Sequence, residues 1–170
     1  MNNNILLILI ISSYLYPLYF IFKSYNKNKS ISSIVCDIKC RKMISKYMFL
    51  MCIFLFFYEL NRQKNDNLFF SLISIIGIIV SINIVISTSE QSITHCIAAS
   101  TCILFMLLFM YINLKNNLYL KFLFRLQLIF LLILYFDLIN KNKIFISESL
   151  IFTTFGIYFF LLHCIEINLL

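Results

Sequence analysis

The chain has 170 residues, 62% of them hydrophobic and 12% charged, with a net charge of +7. A water-soluble domain carries about 25% charged residues, so this chain lacks the polar shell that a soluble core of this composition requires. Its basic residues lie in short loops beside apolar runs rather than in a basic domain or an RNA-binding motif, so no nucleic-acid partner is expected.

Six long apolar runs follow one another over residues 5–22, 44–60, 68–87, 93–114, 118–138 and 144–167. About 20 apolar residues carry a helix across the hydrocarbon core of a bilayer. The expected fold is therefore all-α: a polytopic transmembrane helical bundle of about six spans, forming a single membrane domain over residues 1–170. Ile, Asn, Lys, Phe and Tyr are abundant while Trp is absent. This usage matches AT-rich codons and points to an AT-rich genome, such as that of a large DNA virus, an intracellular bacterium or a protist.

The first run lacks a basic leading region and a small-residue cleavage site, so it reads as a retained span. Pro17 kinks it near its end, which a membrane helix tolerates when neighbours satisfy the freed carbonyl. Residues Lys23–Met43 read as a polar loop. That loop holds a glycosylation sequon, Asn28-Lys29-Ser30, and a Cys36-x-x-x-Cys40 pair that closes only in an oxidising compartment. The second run has an uncharged centre over Tyr47–Tyr58, with Lys46 and Glu59 expected near the two interfaces.

The third run carries no charge and sets Ser71, Ser74, Gly77 and Ser81 on one stripe. The fourth has a matching stripe of His95, Ala98 or Ala99, Cys102 and Met106. Small residues let membrane helices approach closely, so these two runs are expected to form a tight antiparallel hairpin. The fifth run begins with Lys121 and Arg125, which reach back to headgroups. After Gln127 it is mostly Leu, Ile and Phe and is expected to face lipid. The sixth adds Thr153 and Gly156 as small packing positions, and Cys52, Cys102 and Cys164 read as apolar packing residues.

Six spans place both termini on one face, here face A, and the first, third and fifth loops on the opposite face B. Face A holds five basic residues and face B nine. The positive-inside rule then puts face B in the cytoplasm.

Chemistry-bearing residues collect on face B. Asp37 lies in the first loop, Glu90 and His95 flank the third, Asp137 ends the fifth run and Glu148 begins the sixth. The candidate functional cluster is Asp37, Glu90, His95 and Asp137. A carboxylate or imidazole at the membrane edge binds a lipid headgroup, a metal or a proton. The plainer reading is that loops need polar residues and that a helix start favours an acid such as Glu148 by about 0.3–1 kcal/mol. A zinc site needs three or four ligands and no catalytic spacing is present. No catalytic residue, metal or cofactor is assigned.

The stretch Ser87-Thr88-Ser89-Glu90-Gln91-Ser92-Ile93-Thr94-His95, followed by an apolar run ending in Phe109-Met110-Tyr111, resembles the Frag/DRAM/Sfk family. So does Ser30-Ile31-Ser32 followed by Cys40-Arg41-Lys42. Members are six-span proteins with an acid and a His around the turn between spans three and four. They include factors that remodel GPI-anchor lipids and autophagy modulators of endosomes and lysosomes. The resemblance implies an endomembrane protein whose Glu90 and His95 face the lumen or exterior; with the AT-rich usage, the expected location is an endomembrane or a viral or host membrane. The charge rule places the same face in the cytoplasm.

The expected function is that of a non-enzymatic lipid-organising or trafficking factor, with membrane lipids and other membrane proteins as partners. One alternative is an intramembrane lipid hydrolase or transferase using the His/acid cluster. A second is a small transporter or channel. For that one the mid-span polar residues are few: Ser81, Asn83, Thr153 and Thr154.

Overall fold

The computed structural model describes residues 3–26, 29–37, 41–62, 67–89, 92–114 and 116–167, with the side chain of residue 37 set aside. Within them the chain is helical: α1 (Asn3–Lys23), α2 (Ile31–Asp37), α3 (Arg41–Leu60), α4 (Leu68–Ser87), α5 (Ile93–Ile112), α6 (Leu118–Asn140) and α7 (Ile144–Glu166). Six of these helices, each of 20–23 residues, are long and apolar enough to cross a membrane. At 1.5 Å per residue they measure about 30–35 Å, the thickness of a hydrocarbon core. The protein is a multi-pass all-α membrane bundle.

The spans pack as three antiparallel pairs, α1 with α3, α4 with α5 and α6 with α7, and α3 packs on α4 to join the first two pairs. The most extensive packing is between α4 and α5, which supplies the expected hairpin. Ser71, Ser74 and Ser81 are buried on α4, and His95, Ala98, Cys102 and Met106 on α5. Gly77 completes the stripe, since a Cβ there would collide with the Phe105 ring of α5. Buried hydroxyls on the spans turn back to their own helices: Ser13 to the Leu9 carbonyl at 2.7 Å, Ser74 to Phe70 at 2.8 Å and Thr154 to Leu150 at 2.8 Å. This satisfies them in a medium that offers no water. Helix α6 is the least covered of the six, in keeping with its Leu- and Phe-rich surface. Pro17 sits within α1, which runs unbroken to Lys23.

The first loop departs from expectation. Residues Ile31–Asp37 form a short helix, α2, that caps the face-B end of the bundle and packs against α1, α3, α4 and α7. Ser30 starts it, accepting a 2.9 Å hydrogen bond from the Ser33 amide. Ile34 and Val35 are buried on its inner side. The i, i+3, i+4 spacing of Ile31, Ile34 and Val35 carries that signal, but seven residues are too few for a periodicity to stand out from a polar loop.

A second departure is at face A. Arg62 and Glu59, expected beside headgroups, are 3% and 0% exposed. Arg62 Nη1 donates to Glu59 Oε2 at 2.9 Å, and its Nε lies 3.1 Å from Glu166 Oε1 as an ion pair outside hydrogen-bond alignment. Arg62 Nη2 also donates to Asn113 Oδ1, and Asn113 Nδ2 donates to Ser71 Oγ at 2.8 Å. The guanidinium lies against both carboxylates inside the bundle, and such pairing is what makes buried charge tolerable. The network ties the ends of α3, α4, α5 and α7 together.

Candidate functional site

The site lies beneath α2 at face B. The N-cap Ser92 accepts a 3.1 Å hydrogen bond from the His95 amide, so His95 occupies the first turn of α5 with its ring fixed toward α2. His95 Nε2 lies 3.0 Å from Ser32 Oγ on α2. Its Nδ1 lies 3.4 Å from Thr88 Oγ1 at the end of α4. Ser30 Oγ lies 3.0 Å from Ser32 Oγ. One imidazole thus links the end of α4 and the start of α5 to α2, 63 residues away in sequence.

Glu148 reaches the same region from α7. Its Oε2 accepts a 2.5 Å hydrogen bond from the Ile31 amide, which ties the start of α2 to α7. On the other side, Arg41 at the start of α3 donates through Nε to the Ile86 carbonyl at 3.1 Å, satisfying the last turn of α4. Helix α2 is therefore held by polar contacts along its edges and by apolar packing below.

Under it is a cavity of about 120 Å³. Ser32 and Glu148 are the polar residues of its wall, and Val35, Ile44, Ile82, Cys102 and Ile151 are among the apolar ones. A larger groove of about 440 Å³ lies on the flank between α1 and α7. It shares Ile21, Ile31, Met48 and Phe152 with the cavity wall. The backbones of α1 and α7 do not pack together within the described residues. Gly156 faces open space there, with nothing within 4 Å of where a Cβ would stand. At the face-B end the gap is closed by rings, Phe22 and Tyr25 of the α1 end lying 5.6 and 4.9 Å from Phe145 of α7.

A scan against family models finds no match to this chain, and neither a search of curated proteins nor one of solved structures finds one.

Of the four residues expected to cluster, His95 stands at the centre of the site. Glu90 lies outside the described residues, as does the side chain of Asp37, which ends α2. Asp137 is in the last turn of α6, half-buried, and the structure gives no hydrogen bond or ion pair from its side chain to His95. Glu148 does reach the site. The residues that sequence reasoning missed are Ser32 and Thr88. Each is an ordinary loop residue by composition, and it is α2 that brings Ser32 to His95. No group of three His, Cys, Asp or Glu side chains suited to hold a metal occurs among the described residues. Cys36 donates weakly to the Thr88 carbonyl at 3.7 Å, while Cys40 lies outside the described residues.

Proposed function

We propose that this protein binds a membrane lipid, with the ester end of one acyl chain seated in the cavity under α2 and the rest of that chain lying in the groove between α1 and α7. The observation that carries this reading is the continuity of groove and cavity through Ile21, Ile31, Met48 and Phe152. Apolar cavities stay dry and take up hydrocarbon, and one of about 150 Å³ accommodates benzene. The 120 Å³ cavity thus accepts a segment of about six carbons or fewer, with the rest of the chain along the groove. Ser32 and Glu148 in the cavity wall meet the polar part of the lipid, and His95 stands behind Ser32, its Nε2 3.0 Å from Ser32 Oγ. This is the chemistry of a lipid-organising factor. It agrees in kind with what the Frag/DRAM/Sfk resemblance implies, and an endomembrane or a viral or host membrane is the proposed location.

The test is crosslinking in bilayer nanodiscs with a phospholipid carrying a diazirine on one acyl chain. Crosslinks are expected at Met48 and Phe152, and Ala99→Phe, which fills the cavity from α5, is expected to remove them. Crosslinks spread evenly around the apolar belt and indifferent to Ala99→Phe would overturn the reading.

A further inference from the structure

The hydrogen-bond directions around His95 are determined by its neighbours. Thr88 Oγ1 lies 2.7 Å from the Ile84 carbonyl, which can only accept, so the single Thr88 hydroxyl hydrogen is committed there. Thr88 then presents a lone pair to His95, and Nδ1 of the neutral ring carries the hydrogen that meets it. Nε2 is left as a bare acceptor facing Ser32 Oγ at 3.0 Å. Ser32 donates its hydrogen to that nitrogen. Ser30 donates to Ser32 in turn, while accepting from the Ser33 amide at 2.9 Å.

A hydroxyl hydrogen-bonded to a base, with the base oriented by a third group, is the arrangement that activates a serine as a nucleophile. Ser32 is partly exposed and forms part of the cavity wall, so its oxygen is within reach of an occupant. We propose that Ser32 and His95 are a nucleophile and general base that transfer the acyl group of a lipid ester held in the cavity. The proposal rests on the reading that an acyl chain enters there.

In the first half-reaction Ser32 Oγ attacks the ester carbonyl carbon while its proton passes to His95 Nε2. The tetrahedral carbon collapses by breaking its bond to the lipid alkoxy oxygen, which leaves as an alcohol carrying the proton from Nε2. The acyl group is now esterified to Ser32. In the second half-reaction water, or the hydroxyl of another lipid, attacks that ester and gives its proton to Nε2. The acyl group leaves as a fatty acid or a new ester, and Ser32 Oγ recovers its proton from His95. No oxidant, reductant or metal is needed. Thr88 acts through His95, holding the tautomer.

The experiment uses the full chain in nanodiscs and a long-chain alkyl fluorophosphonate, which phosphonylates activated serines. Mass spectrometry is expected to find the adduct on Ser32, and Ser32→Ala should remove it. A general base contributes about 10²–10⁴-fold, so His95→Gln should slow labelling by about 100-fold or more. Thr88→Val, which keeps the imidazole but frees its tautomer, should slow labelling by a smaller factor, and it serves where His95→Gln fails to fold. The same wild-type preparation is crosslinked with the diazirine lipid. Crosslinking at the cavity without an adduct on Ser32 overturns acyl transfer and leaves lipid binding standing. Absence of crosslinking overturns the lipid-binding reading and this proposal with it. Labelling of Ser32 at an unchanged rate in both His95→Gln and Thr88→Val also overturns it.

Discussion

Arg62 Nε lies 3.1 Å from Glu166 Oε1, an ion pair that joins the end of the second span to the last turn of the sixth. Arg62 also bonds Glu59 at 2.9 Å, so a single guanidinium serves two buried carboxylates. Removing it takes the guanidinium from both. Breaking a buried pair by deleting one partner costs about 3–5 kcal/mol, whereas replacing the whole group by apolar residues of similar volume is often neutral. Arg62→Ala should therefore lower the melting temperature sharply. The combination Arg62→Met, Glu59→Met, Glu166→Met should recover part of the loss. A thiol-reactive dye reads the transition, because Cys52, Cys102 and Cys164 are buried until the bundle opens. A triple variant less stable than Arg62→Ala would refute the charge-compensation account.

The chain's two glycines make a paired prediction. Gly77 sits where a Cβ would run into the Phe105 ring, and Gly156 faces open space. Overpacking a fitted contact costs about 1–3 kcal/mol, so Gly77→Ala should destabilise the α4–α5 hairpin by an amount in that range. Gly156→Ala should be neutral or mildly stabilising, since alanine is the better helix former. Phe105→Leu in the Gly77→Ala background should restore stability by yielding the space. Equal melting temperatures for the two alanine variants would show that the α4–α5 contact is not set by Gly77.

The apolar runs made the spans legible, since hydrocarbon length and a 20-residue run are the same constraint. The Ser71, Ser74, Gly77, Ser81 stripe made the α4–α5 pairing legible, because small residues are what allow close approach between membrane helices. The site was half legible. His95 stood out as a rare residue on the matching stripe of α5, but Ser32 carries no mark in a chain rich in serine, and its meeting with His95 depends on a seven-residue helix. The Arg62 network was hidden for a related reason. Composition places a loop-end arginine at the headgroups, and tertiary packing alone turns it inward toward Glu59 and Glu166.

Gln127 offers a third test. It is 0% exposed on α6, and neither its Nε2 nor its Oε1 has a hydrogen-bond partner among the described residues. A buried polar group left unsatisfied costs about 1–3 kcal/mol. Gln127→Met keeps the length of the side chain and removes the amide, so it should raise the melting temperature in nanodiscs. Gln127→Glu, which adds the chance of a charge at the same place, should lower it. A fall with Gln127→Met would mean that the amide serves a partner in the membrane, and its loss should then be sought in binding rather than in folding.

Orientation decides which side of the membrane the α2 site faces. Face B carries nine of the fourteen basic residues, seven of them in or beside the first loop. Their density next to a span end is what retains a loop on the cytoplasmic side. The expected outcome is that the Asn28-Lys29-Ser30 sequon stays unmodified when the chain is made with microsomes. A protease site inserted between Ser89 and Ser92 should be cleaved from the outside of sealed microsomes, which is their cytoplasmic side. A glycan acceptor added after Glu166, on face A, should be modified. Replacing Lys23, Lys27, Lys29, Lys39, Lys42 and Lys46 by Gln removes most of the bias and should give mixed populations. If the wild-type chain instead takes a glycan at an acceptor placed between Ser89 and Ser92, face B is lumenal. The site beneath α2 would then act on the outer leaflet, as the resemblance to the six-span lipid-remodelling proteins implies.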